Sequence, residues 1–172
     1  MLAAKHWTPL HITWRVAQYL APADNVKVLD IGSGVGKFCL AAAHCMPSAF
    51  FFGVEQRKDL VSHAECGRKI LGLKNVHFMH GNFTQLDFRQ YDAFYFYNSF
   101  YENLVATDKI DDNIEYSTGL YNYYNRLLYR KLNEMKAGTR LVTYHSLEEE
   151  IPPAYHLVEA QVECLLKFWI KT

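Results

Sequence analysis

The sequence has no excess of charge of either sign, because its 172 residues include 18 basic and 18 acidic side chains. A chain with a net charge of zero provides no general attraction for a polyanion, so nucleic-acid binding would have to rest on local charge. The four cysteines form no Cys-x-x-Cys pair, which favours reduced thiols. No apolar run approaches the length of a membrane span, and no leader pattern opens the chain. We therefore expect a cytoplasmic protein without a membrane segment.

Metal binding is not expected either. His77 and His80 are three residues apart in a predicted strand, and this spacing puts their side chains on opposite faces of the strand. No cysteine pair lies near them to complete a zinc site. A catalytic serine is equally unsupported, because Ser33 stands between glycines but the pattern G-x-S-x-G is absent.

The chain alternates apolar strand patterns with amphipathic helix patterns, and its length fits one domain over 1–172. Such alternation predicts a parallel sheet with helices on both faces, an α/β doubly wound fold. We expect an N-terminal helical segment over 1–25 and a long polar loop over 98–117. The predicted strands are 26–31, 50–55, 75–79, 92–97 and 139–144, followed by an antiparallel hairpin of 155–158 with 164–170.

A glycine-rich turn follows the first predicted strand and opens directly into a helix, over 26–36. Glycine has no Cβ and tolerates positive φ, so such a turn lets a ligand approach bare backbone. Glu55 ends the next strand, 21 residues after Gly34. An acid at about this distance binds ribose hydroxyls in nucleotide-binding folds. The two features together predict a cofactor that contains a nucleoside.

The glycine spacing indicates which cofactor this is. The dinucleotide pattern is G-x-G-x-x-G, whereas this chain has Gly32-x-Gly34-x-Gly36, with Lys37 where that pattern has its third glycine. The segment resembles the first motif of the class I S-adenosylmethionine-dependent methyltransferases, acid-x-Gly-x-Gly-x-Gly. This resemblance implies S-adenosyl-L-methionine as cofactor and a seven-stranded Rossmann-like sheet with an antiparallel C-terminal hairpin. An NAD-binding oxidoreductase and an ordinary βα turn remain alternatives.

The resemblance also implies a set of residues around the methionine and ribose of the cofactor. Asp30 would lie near the ammonium group, and Glu55 would accept both ribose hydroxyls. The turn itself would face the methionine and the ribose through Gly32, Ser33 and Gly34.

The adenine side is expected at the ends of the second and third strands. Gln56 follows Glu55, and His80-Gly81-Asn82-Phe83 is similar to the family's third motif, in which an acid usually contacts the adenine amine. Here Asn82 replaces that acid, and its amide carbonyl retains an acceptor. We expect Phe83 to offer a ring face to the adenine.

The acceptor is expected after the fourth strand, at Asn98-Ser99-Phe100-Tyr101. In the class I family these residues lie near the transferred methyl group, so Asn98 is a candidate for both cofactor binding and catalysis, and Tyr101 for catalysis. Methyltransferases that act on nucleobases or glutamine carry Asn-Pro-Pro-Tyr here, and this chain lacks both prolines. The segment is slightly more similar to class I lysine methyltransferases.

The sequence therefore predicts a methyltransferase that moves a methyl group from S-adenosylmethionine to a nitrogen or oxygen nucleophile. A protein lysine or a small amine is favoured over nucleic acid, partly because the loop over 98–117 is acidic and would attract a cation. A non-catalytic S-adenosylmethionine-binding subunit is the main alternative.

Overall fold

A computed structural model describes residues 8–97, 100, 117–146 and 148–172. The strands are β1 (Lys27–Ile31), β2 (Phe50–Glu55), β3 (Val76–His80), β4 (Ala93–Tyr97), β5 (Arg140–Tyr144), β6 (Tyr155–Gln161) and β7 (Leu166–Lys171). The α-helices of the described ranges are α1 (Leu10–Leu20), α2 (Lys37–Cys45), α3 (Lys58–Ile70) and α4 (Thr118–Asn133). Short 3-10 helices lie at Phe83–Gln85, Phe88–Gln90 and Glu148–Glu150.

The seven strands form one sheet in the order β3-β2-β1-β4-β5-β7-β6. Strands β1 to β5 are parallel, and β7 pairs antiparallel with both β5 and β6. The predicted fold class is confirmed, including the antiparallel C-terminal hairpin. Chain order reverses between β1 and β4, and ligands of open α/β sheets bind at the carboxyl ends of the strands beside such a reversal.

Two apolar cores lie on opposite faces of the sheet because strand side chains alternate. In β1, Val28 faces the core beneath α1 and α2, and Leu29 faces the core beneath α4. In β4, Tyr95 belongs to the first core, and Phe94 and Phe96 belong to the second. β1 and β4 are therefore packed on both faces of the sheet, which holds their carboxyl ends in place.

The predicted element boundaries shift in a few places. The hairpin strands extend to Gln161 and start again at Leu166, so Cys164, predicted in a strand, lies in the turn. This turn holds three consecutive residues with positive φ, Val162, Glu163 and Cys164. Residues 1–7 of the N-terminal segment and most of the predicted polar loop over 98–117 lie outside the described residues.

The sequence predicts neither a membrane segment nor a metal site. Within the described residues, no helix is long and apolar enough to cross a membrane. Those same parts of the chain contain no cluster of three or more histidine, cysteine or acidic side chains arranged to hold a metal ion.

Candidate active site

The glycine-rich turn joins β1 to α2 and is anchored to the end of β2. The backbone N–H groups of Gly32 and Ser33 both donate to the Val54 carbonyl, at 2.9 and 3.1 Å. Gly32, Gly34 and Gly36 have φ values of 76°, 55° and 76°, which only glycine adopts without strain. A side chain placed at Gly34 would meet nothing within 4 Å, so this part of the turn borders open space.

Glu55 lies at the end of β2 and reaches back to the turn. Its Oε2 accepts a hydrogen bond from the Gly34 N–H at 3.1 Å, and its Oε1 accepts one from the Arg57 N–H at 3.0 Å. The Arg57 guanidinium also approaches Oε1, at 3.5 Å, and both side chains are buried. A carboxylate has about four acceptor positions, and these three hydrogen bonds leave one of them, on Oε2, for a ribose hydroxyl.

Asp30 lies in β1, two residues before Gly32, and its side chain is buried beside α2. The Cys39 thiol donates to Asp30 Oδ2 at 3.5 Å. Burial raises the pKa of Asp30 to about 7, an effect that the Cys39 hydrogen bond partly offsets and the nearby Glu55 increases. A cation placed beside this carboxyl group would lower its pKa and stabilise the ionised form. Its position suits an ammonium group at the turn.

The Asn82 side chain hydrogen-bonds to Gln56, Tyr124 and Thr84. Its Nδ2 donates to Gln56 Oε1 and to the Tyr124 hydroxyl, each at 3.0 Å. Its Oδ1 accepts from the Thr84 N–H at 3.0 Å and so caps the following 3-10 helix. One lone pair of Oδ1 is thus already used, and the second is what an adenine amine would need.

Phe83, which the sequence predicts to offer a ring face to the adenine, lies among other aromatic side chains. Its side chain is buried and stacks on Phe100 with ring centroids 5.1 Å apart, while Phe88 and Tyr124 contact it from other sides. Phe83 thus belongs to the second core, where it contacts Tyr124 of α4. Contact of the adenine with Phe83 stays a prediction.

The predicted acceptor residues Asn98 and Tyr101 lie outside the described residues, so their roles stay predictions. Before them, Tyr97 ends β4, and its ring stacks on Tyr144 at 4.7 Å. The carboxyl edge of the sheet thus brings together the turn, Glu55, Gln56 and Asn82, and it places Tyr97 one strand beyond the turn.

Two features of the turn suit a small polar ligand. Gly34 borders open space, and the buried Ser33 hydroxyl has no hydrogen-bond partner within the described residues. A buried hydroxyl without a partner costs free energy, and a ligand with a polar group can recover that cost. Asp30, Ser33, Gly34 and Glu55 are the residues that would hold S-adenosylmethionine.

Sequence reasoning missed two residues of this region. Arg57 is buried beside Glu55, and its short distance along the chain from Glu55 was an available signal. Tyr124 contacts Asn82 from α4, 42 residues further along the chain, and no local pattern marks that contact.

Comparison with known proteins identifies the family. The family model described as "Methyltransferase domain" matches residues 22–164. A tRNA (guanine-N(7)-)-methyltransferase of Synechococcus sp. is 52% identical over 54 residues, covering 31% of this chain and 23% of the relative. A release factor glutamine methyltransferase of Buchnera aphidicola is 42% identical over 62 residues, covering 36% and 22%. The matched segments thus span about a quarter of the length of these curated relatives.

Among solved structures, an RNA methyltransferase of Salinibacter ruber, in complex with S-adenosyl-L-homocysteine, superposes with a TM-score of 0.65 at 21% identity. That superposition covers 96% of this chain and 92% of the other, and it confirms the fold. The family match also confirms S-adenosylmethionine over NAD as the predicted cofactor. The chain belongs to the methyltransferase domain family, among the class I S-adenosylmethionine-dependent methyltransferases.

Proposed function

We propose that this chain transfers a methyl group from S-adenosylmethionine to a ring nitrogen of guanine in RNA, with N7 of a tRNA guanine as the specific acceptor. The observation that carries the proposal is the 52% identity to a tRNA (guanine-N(7)-)-methyltransferase over 54 residues. This proposal replaces the protein lysine or small amine favoured by the sequence alone. The proposal takes the acceptor from a relative of which the matched segment covers 23%.

The chemistry of this acceptor suits a site that mainly aligns its ligands. Guanine N7 carries a lone pair and no proton. In the transfer the methyl–sulfur bond breaks, a nitrogen–carbon bond forms, and the positive charge moves from sulfur to the base. Because no proton has to be removed, the protein needs no general base for this step. Its contribution is to hold donor and acceptor in line and to exclude water.

The described residues supply the donor half of that alignment. Glu55 and the Gly34 N–H would fix the ribose end of the cofactor, since they are already joined at 3.1 Å. Asp30 would fix the ammonium end from the neighbouring strand. The residues that would hold both ends lie at the carboxyl ends of β1 and β2, so we expect the methyl group to be presented at this edge of the sheet.

A second candidate is a glutamine amide nitrogen in a protein. The release factor glutamine methyltransferase of Buchnera aphidicola is 42% identical over 62 residues. The segment Asn98-Ser99-Phe100-Tyr101 also retains the first and last residues of Asn-Pro-Pro-Tyr. An amide nitrogen loses a proton on methylation, so this acceptor would need a proton acceptor as well as alignment.

The deciding experiment uses the full chain with S-adenosylmethionine labelled in the methyl group. One reaction contains an unmodified tRNA transcript, and a parallel reaction contains a release-factor peptide with its glutamine. We expect label in the RNA, recovered as 7-methylguanosine after digestion to nucleosides, and none from Glu55→Ala. Label in the peptide alone would favour the glutamine acceptor. Tight cofactor binding without turnover on either substrate would favour the non-catalytic subunit.

A further inference from the structure

Three aromatic rings stack on one another where β4 and β5 end. Tyr97 and Tyr144 face each other at 4.7 Å with an interplanar angle of 26°. His145 stacks on Tyr144 at 4.5 Å and lies 5.6 Å from Tyr97, at angles of 26° and 12°. Tyr144 is buried, Tyr97 is half-buried and His145 is exposed, and the three ring centroids lie within 5.6 Å of one another. We call these three residues the aromatic platform.

His145 adopts a backbone conformation that its residue type rarely takes. Its φ is 61°, and its N–H donates to the carbonyl of Leu165, directly before β7, at 2.9 Å. A non-glycine residue in this region is strained, and such residues concentrate at functional sites. The strain turns an exposed ring onto two tyrosines at the carboxyl edge.

The platform lies next to the position of the methyl donor. Asp30 pairs in register with Tyr95, so Tyr97, two residues later, is level with Gly32 on the neighbouring strand. Neighbouring strands are about 4.8 Å apart, which places the backbones of Tyr97 and Tyr144 about 5 and 10 Å from the turn. Tyr97 and Tyr144 pair in register and lie on the face of the sheet that Asp30 shares with Cys39. A planar group on the platform would thus be within reach of the methyl group.

Two rings of the platform, Tyr97 and His145, have pKa shifts that favour their neutral forms. Burial lowers the pKa of His145 and raises the pKa of Tyr97. Beside the rings, the buried Ser146 hydroxyl has no hydrogen-bond partner within the described residues. The region therefore combines neutral aromatic surface with an unused hydrogen-bonding group, and nucleobases are recognised by this combination of stacking and edge hydrogen bonds.

We propose that the aromatic platform of Tyr97, Tyr144 and His145 is the binding site for the acceptor nucleobase, which stacks on the exposed His145 ring. The proposal rests on the proposed function, because it takes the acceptor to be a base in RNA. Stacking of a base on an aromatic side chain tolerates different bases. It would hold the base plane in a fixed orientation toward the methyl group.

The test compares three substitutions at His145 in the full chain, with an unmodified tRNA transcript as substrate. His145→Ala removes the ring and keeps the backbone strain, His145→Gly removes both, and His145→Phe keeps a stacking ring. His156→Ala, at an exposed histidine of β6, is the matched control. Melting temperature and S-adenosylmethionine affinity are measured for each variant beside kcat/KM for the transcript.

We expect kcat/KM for the transcript to fall on the order of ten- to a hundredfold in His145→Ala and His145→Gly, the usual effect of losing one stacked base. His145→Phe and His156→Ala should stay within about threefold of the parent, and cofactor affinity should not change in any variant. The glycine variant should melt no lower than the alanine variant, because glycine relieves the strained φ.

Three outcomes would overturn the proposal. A parent that methylates the transcript together with an equally active His145→Ala would refute the platform and leave the proposed function intact. A phenylalanine variant as poor as the alanine variant would show that the imidazole acts chemically, not by stacking. A parent that binds S-adenosylmethionine but does not methylate RNA would refute the proposed function itself, and the nucleobase site with it.

Discussion

Glu55 Oε2 accepts a hydrogen bond from the Gly34 N–H at 3.1 Å, which joins the end of β2 to the glycine-rich turn after β1. The two residues are 21 positions apart in the chain, with the whole of α2 between them. The bond holds the Glu55 carboxylate, which we propose as the acceptor for a ribose hydroxyl, beside the backbone that a ligand would approach. The first prediction tests this relationship.

Glu55→Ala should weaken S-adenosylmethionine binding by about a hundredfold or more. A charge-assisted hydrogen bond from a hydroxyl contributes on the order of 1–3 kcal/mol, and the variant also loses the bond that joins Glu55 to the Gly34 N–H of the turn. Isothermal titration calorimetry measures the affinity. Glu65→Ala is the control, since Glu65 pairs with Arg68 on the surface of α3. Equal affinities for parent and Glu55→Ala would contradict the assignment of the ribose site.

Ser33→Ala should leave the stability of the free protein unchanged or increase it, while it weakens cofactor binding. The Ser33 hydroxyl is buried without a partner within the described residues, and such a group costs about 1–3 kcal/mol when nothing pairs with it. Urea denaturation and a cofactor titration measure the two effects. Ser62→Ala on α3, where the hydroxyl donates to the Lys58 carbonyl, serves as the control. A destabilised Ser33→Ala with normal affinity would give Ser33 a structural role.

The strands and the proximity of Glu55 to the glycine-rich turn were predictable from the sequence because both depend on local patterns. The ribose-binding role of Glu55 stays a prediction. Apolar runs set the strands, and the distance from Gly34 to Glu55 reflects one βαβ passage, so each could be identified without contacts. The burial of Phe83 and the bond from Asn82 to Tyr124 depend on how α4 packs on the sheet. No pattern near those residues encodes that packing. The positive φ of His145 could not be predicted either, because this residue is tied by a hydrogen bond to Leu165, 20 positions further along the chain.

The stability of the free protein should depend on pH through Asp30. Its pKa is raised from 3.8 to about 7 in the folded state, so between these values the folded protein holds a proton that the unfolded chain has released. The free energy of unfolding therefore decreases as pH rises through this window and levels off above about pH 7.

Asp30→Asn removes this dependence and provides the measurement. At pH 8 the variant should be more stable than the parent, by on the order of 2–4 kcal/mol, and near pH 4 the two should converge. Urea denaturation of both proteins across the range gives the difference, in which the contributions of other carboxylates cancel. A difference that stays constant with pH would contradict the raised pKa of Asp30.

Asn98→Ala should lower turnover strongly and change cofactor affinity little. Asn98 lies outside the described residues and directly follows Tyr97, the last residue of β4. Its role toward the acceptor is a proposal from the sequence. A displacement of the acceptor by about 1 Å can reduce the rate on the order of a hundredfold. Turnover and melting temperature are measured together, and a variant as fast as the parent would move the acceptor site away from the end of β4.

The glycine-rich turn has a proposed binding role at Gly34 and a packing role at Gly36. The matched variants Gly34→Ala and Gly36→Ala distinguish these two roles. Both positions have positive φ, 55° and 76°, so both substitutions carry a similar backbone strain of about 1–2 kcal/mol. They differ in surroundings: a Cβ at Gly36 would lie 2.5 Å from the Phe78 ring and 2.9 Å from Ala64, whereas one at Gly34 meets nothing within 4 Å.

Gly36→Ala should therefore lose the greater part of the protein's stability, because the new methyl overlaps two packed side chains between α2, α3 and β3. Gly34→Ala should fold with only the strain penalty and still lose cofactor affinity, because its methyl fills the space that the ligand approaches. Thermal melts and cofactor titrations of both variants give the comparison. Normal affinity in a folded Gly34→Ala would mean that the cofactor does not contact this face of the turn, and the site would have to lie elsewhere along the carboxyl edge.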